Sequence, residues 1–234
     1  MPEDSPRPNP FQTLYRITGP TLWLGSLMIV VFGVMQYLAL EPGPWGIYPR
    51  SWQGLTGILT APLVHGDRNH LISNLIPMIV LGGGLRYFYP KLHTPVWVYA
   101  WLATGLWVWA GARTSQHIGA SGVVYALAFF LFFSGVFRRD VRSLSLALAV
   151  ALFYGSMVWG VLPVEAGISW ESHLFGAISG TFMAWFYRRT DITPRKTYAW
   201  EQEPDHSPDD DTAAWNYKAR HQPPEGFSHP EDVV

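Results

Sequence analysis

Six of the charge-free stretches of this chain read as membrane helices, and four of them are long enough to cross a bilayer outright. Ile17 to Leu40 runs for 24 residues, Thr94 to Ala112 for 19, Thr114 to Phe137 for 24 and Ser143 to Val164 for 22. At about 1.5 Å of rise per residue, each can span roughly 30 Å of hydrocarbon. The other two, Asn69 to Leu85 and Ser172 to Tyr187, sit at the short edge of that range. Charged residues make up only 14% of the 234 residues, against about 25% in soluble domains. The connections between the runs are too short and too sparsely charged to give six buried helices a polar outer layer. The pattern therefore predicts an all-α polytopic membrane protein with six transmembrane helices.

The mean hydropathy of +0.10 is low for such a protein because two unlike parts are averaged. Residues 1–190 carry twelve basic and seven acidic residues, and residues 191–234 carry four basic and ten acidic. Three regions are expected: an N-terminal segment 1–16, a six-helix membrane domain 17–188, and a polar tail 189–234, read as disordered from its proline and acid content. The first apolar run is too long, and lacks the small-residue cleavage pattern, for a removed signal peptide. It is expected to stay as the first span. The chain has no cysteine, which excludes disulfides, thiolate metal sites and a thiol nucleophile.

Six spans put both termini on one side, so the basic residues sort into two sets. Thirteen fall on the side of the termini, and only Arg50, Arg68 and Arg113 on the other. The excess of positive charge marks the cytoplasmic side, so both termini are expected there. Spans two, four and six then begin near the outer leaflet, where His70 and Asn74, Ser121, and His173 are found.

Ser121 lies within Gly119-Ala120-Ser121-Gly122. Small neighbours leave its hydroxyl open and let another backbone approach, a pattern that also lines ordinary helix contacts in membranes. His173 is followed by Gly176 and Gly180 on the same helical face. That face is nearly bare of side chain, so span six can close on span four and bring an imidazole to the serine. A serine needs a base to become a nucleophile, and neutral imidazole suits the task. With no Asp or Glu expected inside any of the six spans, a Ser–His dyad fits better than a triad. Tyr125, one turn after Ser121, can either stack on the imidazole or pack as an interface residue. His70 and Asn74, spaced i, i+4, share a face. With the Ser121 amide they can form an oxyanion hole; alternatively Asn74 bonds helix to helix or satisfies a carbonyl freed by Pro77.

Together, His70-x-x-x-Asn74, Gly119-Ala120-Ser121-Gly122 with Tyr125, and His173-x-x-Gly176-x-x-x-Gly180 resemble the rhomboid family of intramembrane serine proteases. The resemblance covers about residues 17 to 188 and implies a six-helix core with a dyad in a water-filled cavity open to the outside. It implies an endopeptidase that cuts single-pass membrane proteins in or near their transmembrane segments, with Ser121 as nucleophile and His173 as base. His70, Asn74 and the Ser121 amide would bind the oxyanion, and Tyr125 would stack on the base. Gly119, Gly122, Gly176 and Gly180 would support the site, and His65 matches a histidine of less settled role. Two positions depart from the common pattern: Gln53 stands after Trp52 where many members have arginine, and Arg86 where many have glutamate.

No cofactor, metal or nucleic acid is expected; the expected partners are transmembrane substrates and the bilayer, and the resemblance suggests a bacterial cytoplasmic membrane. The chief alternative is a catalytically inactive rhomboid-like protein that binds membrane clients, although such relatives usually lose the serine or the histidine. A metal-binding alternative would use His65, His70, His117 and His173.

Overall fold

The computed structural model describes residues 9–163 and 167–190. Apart from its first two residues, the expected tail lies outside the described residues. Among the described residues seven α-helices follow in order: α1 (Pro10–Tyr37), α2 (Gly57–Thr60), α3 (Arg68–Phe88), α4 (His93–Gly111), α5 (Ser121–Arg138), α6 (Val141–Tyr154) and α7 (Trp170–Phe186). Among the described residues there is no strand, only an isolated antiparallel bridge between Ile47 and His117. The six long helices coincide with the six charge-free runs, so the fold is the helical membrane bundle the sequence predicts.

Helices α1, α3 and α6 start before their charge-free runs because capping groups lie among the flanking polar residues. Asn9 accepts from the Phe11 amide and starts α1 with Pro10 in its first turn. Asp67 accepts from the His70 amide to start α3, and Asp140 from the Ser143 amide to start α6. The fifth span is not one α-helix: after Tyr154 the chain tightens into a 3-10 coil, Gly155–Val161.

Helix α5 is the centre of the bundle, packed against α3, α4, α6 and α7, with α7 its most extensive neighbour. Its buried face is rich in small residues, including Gly122, Ala126, Ala128 and Gly135, which let neighbours come close. Helix α1 rests mainly on α3 and turns Trp23, Leu27, Ile29 and Val30 outward. Such apolar exposure suits lipid rather than water. Helices α1, α3, α5 and the stretch Val141–Val161 are long and apolar enough to cross a membrane. The other two fall short, α7 having 17 residues and α4 carrying Trp97, Tyr99, Trp101, Trp107 and Trp109.

The connection between α1 and α2 is folded against the bundle. The Arg50 guanidinium donates to the carbonyls of Ala110 and Ala112 and to the Thr114 hydroxyl, capping the end of α4. At the opposite end of the bundle, Arg138 donates to the Tyr187 carbonyl at 2.7 Å and stacks on the Tyr89 ring. Arg142 donates to the Tyr87 carbonyl at 2.9 Å. Each cation closes a helix C-terminus, where it meets the negative end of the dipole.

Candidate active site

Ser121 is the first residue of α5, so its amide is one of the helix-start donors without an intrahelical acceptor. It is delivered by Gly119, whose φ of +98° is open to glycine and strained for other residues. The Gly119 amide donates to the Ala61 carbonyl at 2.9 Å. A side chain at Gly119 would strike the His70 ring, so the glycine also brings α3 up against the serine segment.

His173 lies in the first turn of α7. Its ring stacks on Tyr125, with centroids 4.2 Å apart and planes within 5° of parallel. Its Nδ1 is 2.9 Å from the Gly160 carbonyl. A carbonyl only accepts, so Nδ1 carries the proton and, in the neutral ring, Nε2 is left as the acceptor. Gly160 is glycine for a reason: a Cβ there would collide with the Tyr125 hydroxyl and come within 3.2 Å of His173 Nδ1. Helix α7 reaches this position because Gly176 and Gly180 lie against the backbone of α5, where a Cβ would meet the carbonyl oxygens of Gly122 and Ala126 respectively. A Cβ at Gly122 would in turn come within 3.0 Å of the Ser172 carbonyl.

Ser121, His173, Tyr125, His70 and Asn74 all line one cavity of about 670 Å³, together with Ser73, Tyr154, Met157 and Ser169. Asn74 is buried, and its side-chain amide donates to the His70 carbonyl of its own helix at 2.7 Å. This differs from both bonds anticipated for it, a partner on another helix or the carbonyl freed by Pro77. One of its two N–H groups is thereby committed and the second remains for the cavity.

His65 is buried with its ring edge-on to His70 at 4.9 Å. Burial, reinforced by the neighbouring His70, pushes it down to about 4, so it stays neutral at physiological pH. His117 in the α4–α5 loop is lowered by burial too, with the Arg113 carbonyl and Glu171 opposing. The histidines at 65, 70, 117 and 173 do not gather around one point, and among the described residues no group of three or more His, Cys, Asp or Glu is placed to hold a metal.

One expectation is corrected. Helix α7 starts at Trp170, before the charge-free run, so it does contain an acid: Glu171 is buried in its first turn. Glu171 pairs with Arg113 at 3.4 Å, while the His173 nitrogen that a third carboxylate would occupy is taken by the Gly160 carbonyl. The Gly160 contact was beyond sequence reasoning because a backbone carbonyl has no residue signature. Glu171 lies one residue before the charge-free run Ser172 to Tyr187, so the run itself does not include it.

A family profile described as "Rhomboid domain" matches residues 52–190, more than half of the chain. The chain belongs to the rhomboid family. The matched region runs from the α1–α2 connection to the end of α7 and so contains every residue of the cavity. Among similar proteins, uncharacterized proteins of Mycobacterium tuberculosis and Mycobacterium bovis are each 32% identical over 79% of this chain and 82% of their own length. An uncharacterized protein of Mycobacterium leprae is 34% identical over 66% of this chain and 63% of its own. The chain is therefore a rhomboid-family integral membrane protein.

Proposed function

We propose that this rhomboid is an intramembrane serine endopeptidase working through a Ser121–His173 dyad. The observation that carries the reading is the state of His173: stacked flat on Tyr125, with Nδ1–H held by the Gly160 carbonyl, leaving Nε2 as the basic nitrogen in the cavity that Ser121 lines. In this mechanism Nε2 takes the Ser121 proton as Oγ attacks the substrate carbonyl. The oxyanion is met by the Ser121 amide, the free N–H of Asn74 and the His70 ring. The imidazolium returns the proton to the leaving amine, and water, activated by the same nitrogen, hydrolyses the acyl-enzyme. Gly160 substitutes for a triad acid by fixing tautomer and ring orientation without adding charge.

The substrates of this reading are transmembrane proteins, single-pass ones first, cut in or near their membrane segments. Both termini lie in the cytoplasm and the cavity opens outward, supported by thirteen basic residues on one side and three on the other. A bacterial cytoplasmic membrane is supported by the mycobacterial relatives.

The test is labelling of the full-length, detergent-solubilised protein with a fluorophosphonate probe. Wild type is expected to label, Ser121→Ala not at all, and His173→Ala at least about 10³-fold more slowly. Equal labelling of wild type and Ser121→Ala would remove Ser121 as nucleophile. Failure of the wild type to label would return the chain to the inactive, client-binding alternative.

A further inference from the structure

The loop from Ala112 to Ala120, which delivers Ser121, is gripped on two sides. On one side, Ile47 and His117 exchange backbone hydrogen bonds of 2.8 and 2.9 Å. On the other, the loop reaches the start of α7 through side chains. The His117 ring is buried. Its Nε2 is 3.1 Å from the Arg113 carbonyl, so that nitrogen carries the proton. Its Nδ1 then accepts from the Ser169 hydroxyl at 2.5 Å, and Ser169 Oγ is 2.6 Å from the Ser172 hydroxyl, which is left to donate. Arg113 adds a bond to the Ile168 carbonyl at 2.8 Å and the ion pair with Glu171.

Ser169 stands at the N-cap of α7, where a serine hydroxyl ordinarily accepts from the helix's own amides. It makes no such capping bond; the hydroxyl is turned to His117 instead. The local helix gives up a cap for a contact to the serine loop.

We propose that His117 is a positioning residue, clamping the start of α7 to the loop that delivers Ser121 and so setting His173 against the nucleophile. This rests on the dyad reading above. Ser121 follows His117 by four residues of loop, and His173 lies one helical turn after Ser169, so the clamp is close in the chain to both reacting groups. The glycine contacts between α5 and α7 set how closely the helices approach, but such apolar contact is weakly directional. The hydrogen bonds at the helix start are directional and fix rotation and height.

Fluorophosphonate labelling rate, substrate turnover and thermal unfolding would be measured on the full chain for wild type, His117→Ala, His117→Asn, Ser169→Ala and the double alanine variant. His117→Ala and Ser169→Ala are each expected to lower labelling rate and kcat about tenfold with KM unchanged, less than the ~10²-fold that a full 1 Å misplacement can cost. The double variant should be no slower than either single one, because both remove the same bond. His117→Asn sets an amide oxygen near the position of Nδ1, and is expected to recover the rate to within about threefold of wild type. If His117→Ala does not fold, Ser169→Ala, which deletes a single oxygen, carries the same comparison. Wild-type rates in Ser169→Ala, additive losses, or no rescue by asparagine would overturn the clamp while leaving the dyad intact. A wild type that does not label would overturn the dyad reading and this one with it.

Discussion

Asn74 has two amide protons, and the bond to the His70 carbonyl uses one of them. Only the second can serve an oxyanion, beside the Ser121 amide and the His70 ring. Loss of an unshared donor costs about 10²–10³ in kcat, so Asn74→Ala should slow turnover by roughly 10²-fold or less, with substrate binding little changed. Steady-state kinetics on a transmembrane substrate check this, and unchanged turnover would make Asn74 a packing residue. At this scale the sequence carries much of the candidate site. Ser121, His173, His70, Asn74 and Tyr125 can be nominated from residue type and spacing, and all five line one cavity. What it does not carry is what those groups are bonded to. The Gly160 carbonyl on His173 and the Ser169 hydroxyl on His117 depend on positions 13 and 52 residues apart in the chain, and the turn of the Asn74 amide onto its own helix is a rotamer choice that residue spacing does not fix.

Among the helices, the α5–α7 contact makes the sharpest demand on sequence. A Cβ at Gly180 would run into the Ala126 carbonyl oxygen and come within 2.9 Å of the Phe130 amide nitrogen, both of them backbone. Backbone cannot rotate away as a side-chain tip can. Gly180→Ala should therefore cost about 1–3 kcal/mol through overpacking, even though alanine is the better helix former by up to about 1 kcal/mol. Gly33→Ala in α1 is the control, since nothing lies within 4 Å of the added carbon. It should be neutral or slightly stabilising. Thermal unfolding in detergent separates the two, and equal behaviour would show that α7 can shift without loss. The charge-free runs located all six long helices because hydrocarbon tolerates little charge. They misjudged the ends because helices continue into the interface, where caps and cations are welcome: α1 takes in Arg16, α3 Arg86, α5 Arg138, and α7 Glu171. The change of α6 to 3-10 coil after Tyr154 left no mark in hydropathy, since the run stays apolar through Val164.

At the scale of the molecule, α3, α5 and α7 all begin at the cavity, and the cations Arg86, Arg138, Arg142 and Arg188 gather at the far end. Three helix N-termini thus turn their positive dipole ends toward the place where an oxyanion would form, and their C-termini are met by guanidinium groups. A cation asymmetry of this kind orients proteins in membranes, so under the proposed function the charge pattern that would favour the chemistry would also set which side of the membrane receives it. This coupling can be tested without engineering a background, because the chain has no cysteine. Gln53→Cys lies on the cavity side and Arg189→Cys on the other, and both positions are exposed. With a membrane-impermeant maleimide on intact cells, Gln53→Cys is expected to react at once and Arg189→Cys only after lysis. The reverse pattern would turn the cavity toward the cytoplasm, and the thirteen-to-three distribution of basic residues would then have to be read as serving the helix ends alone.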